Sequence, residues 1–331
     1  MGLKYGIHIL RGVPRQAVHR NTPTVTPGVT ARMIAQGYSV CPWNPDMYGV
    51  NRSAPGAQAY YDSLFALYAQ WGVDFVKVDD IANTEFKPDD PYSAKDEIEM
   101  IRAAIDKCGR SMVLSLSPGP APLEQASHLR ANANMWRISG DFWDRSDALR
   151  KMFALCEKWY PHVSPGCWPD CDMLPLGTLQ LTETDPRYRA RKTRFTENEQ
   201  RTVMNLWCMF RSPLMFGGAL TEELMDEDTL ALITNRELLE IDRSSTGNRP
   251  AESDENHAIW VCRDKNGNDI IAFFNLTPAP RTLTYDFGED GIALYDLWSK
   301  ETAPLSRPFV NLPLGPAESR VFRIIHNSEG A

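Results

Sequence analysis

Phe75-Val76-Lys77-Val78-Asp79 is a run of strand-forming residues that carries two charges. Side chains alternate along a strand, so Phe75, Lys77 and Asp79 share one face and Val76 and Val78 the other. In a parallel α/β fold the apolar pair packs on helices. The charged pair then faces inward, where a charge is costly unless it meets a partner or a ligand. Asp79 ends the run, and the carboxyl ends of parallel strands are where such folds build their sites. A second run repeats the arrangement: Arg137, Ser139 and Asp141 fall on one face, Asp141 comes last, and Asp144 follows as a rival acid. Read plainly, either aspartate is a cap or turn residue, as any strand-end Asp can be. Two acidic strand ends, each preceded on its own face by a cation, suit a different task. Cleaving a glycosidic bond takes one ionised and one protonated carboxyl. A carboxylate near Lys77 should have its pKa lowered, suiting a nucleophile, while a more secluded partner would hold a proton.

Strand-like and helix-like segments alternate through residue 240, which predicts a parallel α/β fold around these residues. Leu3, Tyr5 and Ile7 read as one face of a buried first strand. A loop with Arg11, Arg15, His19 and Arg20 follows and reads as solvated. In the next loop Trp43 and Tyr48 suit either stacking on a sugar ring or packing the loop itself. Tyr60, Leu64, Leu67, Tyr68 and Trp71 fall at helical spacing, with Gly72 as the stop signal. Ser93 and Asp96 read as a capping box for a second helix. Met112–Ser117 and Met135–Gly140 read as further strands. Leu149, Met152, Phe153, Cys156 and Trp159 mark an amphipathic helix. Thr196 with Glu199 caps another, and Pro213–Gly218 reads as a last buried strand. The polar cluster from Ser244 to Pro250 reads as a linker. Beyond it the period is two: Ile259–Cys262 and Ile270–Phe274 flank the hairpin signal Asn266-Gly267, and strands are expected at Thr282–Phe287, Ala293–Trp298 and Val321–Ile325. The expected domains are therefore 1–243, α/β, and 244–331, all-β.

Composition narrows the function classes. With 35 Lys+Arg against 43 Asp+Glu the formal net charge is -8 over 331 residues. Such a surface repels phosphate backbones and anionic lipid, so neither nucleic acid nor membrane is an expected partner. No apolar run approaches the ~18 residues of a membrane span. Seven cysteines form no recognisable disulfide framework. Cys167 and Cys171 lack a second Cys/His pair at zinc spacing, and His8, His19, His128, His162, His257 and His326 show no ligand spacing, so no metal is expected. The first residues lack the basic end, apolar stretch and cleavage site of a secretory leader.

Trp71-Gly72-Val73-Asp74-Phe75-Val76-Lys77-Val78-Asp79-Asp80 resembles the nucleophile strand of the family 27 glycoside hydrolases, the α-galactosidase and α-N-acetylgalactosaminidase group. Gly2-Leu3-Lys4-Tyr5-Gly6-Ile7 is similar to that family's third barrel strand. Trp136-Arg137 followed by Asp141 looks like its acid/base strand. Trp168-Pro169-Asp170-Cys171-Asp172-Met173-Leu174 resembles its segment ending Asp-Pro-Asp-Met-Leu, and Ser212-Pro213-Leu214-Met215 its last barrel strand. The matches run in family order from residue 2 to about 242, with the terminal β-domain after them.

The resemblance implies a (β/α)8 TIM-type barrel followed by a small antiparallel β-sandwich, and hydrolysis of terminal α-galactose-type sugars with retention, without metal or organic cofactor. Asp79 would be the nucleophile and Asp141 the acid/base. Lys77 and Arg137 match positions that hydrogen-bond ring hydroxyls, and Asp172 an acidic residue near the site. His8 stands where the family usually has Tyr. Ser117 occupies the position where α-galactosidases carry a Glu and N-acetylgalactosaminidases a Ser. Pro120 replaces the small Ala of the second marker, so the reading leans to α-galactosidase with specificity open to the N-acetyl sugar. Nothing here resembles the family's first two βα units, so an N-terminally incomplete barrel of about six strands is expected. That leaves a second reading, a non-catalytic sugar-binding remnant, and leaves the compartment undetermined. A homo-oligomer is compatible with either.

Overall fold

The computed structural model describes residues 2–179 and 190–326. It divides into two compact units, Met1–Asp141 with Ser164–Asp170, and Phe142–Val163 with Cys171–Ala331.

The first unit is built on a parallel sheet. Its strands β1 (Gly6–Leu10), β2 (Phe75–Asp79), β3 (Val113–Leu116), β4 (Met135–Arg137) and β5 (Trp168–Asp170) are hydrogen-bonded in that order. β1 pairs with β2 from Gly6↔Phe75 to Leu10↔Asp79. The face alternation read from the sequence holds on β2: Val76 and Val78 are fully buried, whereas Phe75, Lys77 and Asp79 are only partly so. Helix α1 (Ala57–Gln70) ends just before Gly72. Helix α2 (Lys95–Lys107) starts differently from expectation. Ala94 is its N-cap and no side chain caps it, because Ser93 Oγ is spent on Thr84 Oγ1 at 2.7 Å. The first strand also opens later than expected, at Gly6, and Leu3 and Tyr5 are exposed. Among the described residues β1 has a strand neighbour on one side only.

In the second unit, helix α3 (Ser146–Trp159) buries Leu149, Met152, Phe153, Cys156 and Trp159, the stripe its spacing predicts. Helix α4 (Glu197–Phe210) starts at the predicted capping box: Thr196 Oγ1 accepts from Glu199 N–H and the Glu199 carboxylate accepts from Thr196 N–H. Pro213–Gly218 is not a strand. It is reduced to a single parallel bridge between Phe216 and Leu174, consistent with a proline that cannot donate and two glycines that weaken a ladder.

Helix α5 (Arg236–Ser244) runs almost directly into a strand at Thr246–Ser253, so the polar cluster is not a linker. Pro250 is tolerated there because this strand lies at a sheet edge. Together with this strand, the strands that follow it form a six-stranded antiparallel sheet and a two-stranded one, Arg281–Asp286 with Phe309–Leu314. Asn266-Gly267 lies in the turn between His257–Arg263 and Asp269–Asn275. Ile259, Ile271, Phe273, Leu294 and Phe322 from the larger sheet and Leu283, Val310 and Leu312 from the smaller fill one apolar core, as in a sandwich. Among the described residues no helix is long and apolar enough to cross a membrane.

Candidate active site

The first unit brings His8, Lys77, Asp79 and Ser117 together at the carboxyl ends of its strands. Register sets His8 of β1 beside Lys77 of β2, and Ser117 is the first residue past β3. The Asp79 carboxylate is held from three sides. Oδ1 accepts from Ser117 Oγ at 3.0 Å and from the Asp80 N–H at 3.0 Å, and Oδ2 lies 3.1 Å from His8 Nε2. Burial pushes the Asp79 carboxyl up. The bonds from His8, the Asp80 N–H and Ser117, together with the Lys77 charge, outweigh it and hold the group below the usual carboxylate range. The lowering expected from Lys77 is therefore present, but Lys77 contributes less than His8, the Asp80 N–H and Ser117. Among the described residues the Lys77 ammonium makes no ion pair, which leaves its donors for a ligand.

On β4, Arg137 is 2% exposed and its Nη2 is 3.2 Å from Asp141 Oδ1. Asp141 itself is 73% exposed, not secluded. The strand stops at Arg137, so strand alternation no longer governs a residue four positions on. The turn beside it is tight: a Cβ at Gly119 would lie 2.1 Å from the Ser139 carbonyl oxygen, so only glycine fits.

Asp144 and Asp172 belong to the second unit. Asp144 is buried and spent: Arg191 grips both its oxygens, and Arg194 N–H donates to Oδ2 at 2.6 Å. Burial pushes its carboxyl up, and Arg191 with the Arg194 N–H more than reverses that. An acid held ionised by such partners is a poor proton donor, which argues against Asp144 in that role. Asp172 adopts φ 77°. Its Oδ2 accepts from the Phe142 N–H at 2.8 Å and its carbonyl from Trp207 Nε1 at 3.0 Å. Within this unit it organises a turn.

One cluster was not legible in the sequence. Arg11, read as part of a solvated loop, is 2% exposed. It pairs with Asp80 at 2.8 Å and Glu97 at 2.7 Å. The available signal was the Asp79-Asp80 doublet, since two adjacent acids at a strand end call for a cation. Which of the loop arginines answers is set by Arg11 directly following β1, beside β2 in the sheet. Arg15, by contrast, lies over the Tyr48 ring at 5.1 Å and bonds the Pro45 carbonyl, so it and Tyr48 pack the loop. Trp43 is half-exposed.

Comparison with known proteins gives the family. The family Melibiase_2, described as alpha galactosidase A, matches residues 46–244. A β-L-arabinopyranosidase of Geobacillus stearothermophilus is 48% identical, with TM-score 0.93; the match covers 100% of this chain and 75% of that one. A variant of that enzyme has been crystallised with arabinose. A putative α-N-acetylgalactosaminidase of Bacillus halodurans is 44% identical, with TM-score 0.85, over 98% of this chain and 76% of that one. Alpha-galactosidase 2 of Arabidopsis thaliana is 23% identical over 260 residues, 76% of this chain but 60% of its own length. This chain thus spans about 60% of the length of that curated relative. On the family match and the 48% identity to the Geobacillus enzyme, the chain belongs to glycoside hydrolase family 27.

Proposed function

We propose that this protein is a retaining exo-glycosidase that removes a terminal pyranose of galacto configuration, with β-L-arabinopyranoside the favoured substrate and α-D-galactopyranoside the second. The observation that carries the reading is Asp79: a strand-end carboxylate kept ionised by three hydrogen bonds, with the Lys77 cation beside it. Similarity at 48% to an arabinopyranosidase, against 23% to an α-galactosidase, supports the pentoside. The two sugars share the stereochemistry of the ring and differ by the hydroxymethyl group of galactose, so one set of catalytic groups serves both.

In the first step an Asp79 oxygen bonds to the anomeric carbon as the glycosidic C–O bond breaks, and the Asp141 proton passes to the leaving oxygen. In the second, the Asp141 carboxylate takes a proton from water, whose oxygen displaces Asp79 and frees the sugar. Each carboxyl ends as it began. In this reading Lys77 and Arg137 meet ring hydroxyls and His8 orients the nucleophile, the last supported by its 3.1 Å contact with Asp79 Oδ2. Ser117 leaves room at the sugar's second carbon, which keeps the N-acetylgalactosaminide as a reading to test. Release of nitrophenol from the three nitrophenyl glycosides, on the whole natural protein, decides among them. Turnover of the arabinoside above an Asp79→Asn blank is expected. Rates equal to the blank on all three sugars would overturn the reading.

A further inference from the structure

Behind Asp79, inside the first unit, lies a buried ionic cluster that the reaction steps do not use. Arg11 Nη2 pairs with Asp80 Oδ2 at 2.8 Å, and Nη1 donates to Glu97 Oε1 at 2.7 Å and to Ser39 Oγ at 2.9 Å. Arg11 Nε donates to the Asp80 carbonyl. The second Glu97 oxygen accepts from Tyr61 OH, which in turn accepts from the Gly12 N–H at 2.9 Å. Arg11, Asp80, Glu97 and Tyr61 are all buried. A Cβ at Gly49 would come within 2.7 Å of Arg11 Nη1, so the backbone forgoes a side chain to admit the guanidinium.

Apolar residues often fill such a space as stably as buried ions do, so stability alone is a weak reason for this cluster. Its geometry supplies another. Asp80 sits at φ 55°, a left-handed conformation that costs a non-glycine residue roughly 1 kcal/mol. Arg11 grips that residue at both its carbonyl and its carboxylate. The Arg11 backbone N–H also donates to the Asp79 carbonyl at 3.2 Å, which holds the Asp79–Asp80 peptide with the Asp80 N–H aimed at Asp79 Oδ1.

We propose that Arg11, backed by Glu97 and Tyr61, is a positioning residue for the nucleophile, locking the Asp80 turn so that the Asp79 carboxylate faces the anomeric carbon. The proposal rests on Asp79 being the nucleophile. Burial pushes the Asp80 carboxyl up to about 6, the Arg11 guanidinium opposes the rise, and Glu97 and Asp79 add to it. None of the cluster's side chains is among those assigned to the sugar, so loosening it slows attack without weakening binding.

The test is trapping with a 2-deoxy-2-fluoroglycoside carrying a good leaving group, run on the natural protein, Arg11→Gln and Tyr61→Phe. Mass spectrometry gives the fraction of chains labelled, and its time course gives the rate. Arg11→Gln is expected to label fully but about 10- to 100-fold more slowly. Its KM on a nitrophenyl glycoside should stay within about twofold of the natural protein's. Tyr61→Phe, which deletes one hydroxyl, should show a smaller loss of the same kind, and it decides the matter if Arg11→Gln does not fold. Labelling at the natural rate in a folded variant, or a slower signal explained wholly by fewer competent chains, would overturn the proposal. An adduct on a residue other than Asp79 would instead sink the nucleophile assignment.

Discussion

Ser117 Oγ donates a hydrogen bond to Asp79 Oδ1 at 3.0 Å. The residue that the sequence resemblance implies as a specificity position therefore also touches the candidate nucleophile. Ser117 is buried at the end of β3 and belongs to the set of donors that keep Asp79 ionised.

Removing that donor should be visible in the pH–rate profile. Ser117→Ala deletes one bond to the charged form, a loss of about 1–2 kcal/mol, so the Asp79 pKa rises toward the ordinary range. The acid limb of kcat/KM should move to higher pH, and kcat should fall about tenfold. An acid limb in the same place would show that Ser117 does not act on the ionisation of Asp79.

Asp141 is tested by what can replace it. Nitrophenol leaves without a proton, so Asp141→Ala should spare the first step on a nitrophenyl glycoside and slow the second by roughly 100- to 10,000-fold. Azide needs no general base and should restore the rate, giving a glycosyl azide of retained configuration. No rescue, or an inverted azide, would remove Asp141 from the acid/base role.

Asp242 makes a prediction about stability. Burial, opposed by the nearby Arg211 charge, pushes its carboxyl up to about 7. An acid with a raised folded pKa binds its proton more tightly when folded. Its contribution is therefore most favourable below the unfolded value of about 4 and is lost as pH rises through about 7. Asp242→Asn should flatten this fall, raising Tm at pH 8 more than at pH 4 in thermal melts. Equal shifts at both pH values would show that Asp242 carries no such charge cost.

The α4 cap gives a local control. Thr196→Ala removes the Oγ1 acceptor from the Glu199 N–H and should cost about 1 kcal/mol in denaturant unfolding, with activity little changed. A loss near zero would mean that water replaces the cap at no cost.

How far the sequence reached follows from the range of each interaction. The faces of β2, the stripe on α3 and the Thr196 cap depend on residues within a turn or a few strand positions, and they read correctly. Ser93 and Asp96 satisfied the same local rule, yet Ser93 bonded Thr84, a choice only tertiary placement makes. Asp79 was legible because a charge at a strand end is conspicuous. Its three donors were not assigned from spacing, since His8 and Ser117 come from other strands. Arg11 and Glu97 stand 86 residues apart, and no periodicity announces that a loop arginine and a helix glutamate will share one buried site. The exposure of Asp141 was misjudged for a simpler reason: alternation was carried past the point where the strand ends.

The most direct measurement is the site of covalent attachment. After incubation with a 2-deoxy-2-fluoro β-L-arabinopyranosyl or α-D-galactopyranosyl donor, the protein is digested and the sugar-bearing peptide sequenced by mass spectrometry. The account predicts a single adduct on the β2 peptide, carried by Asp79. An adduct on any other carboxylate, or a folded protein that turns over substrate without forming one, would contradict it.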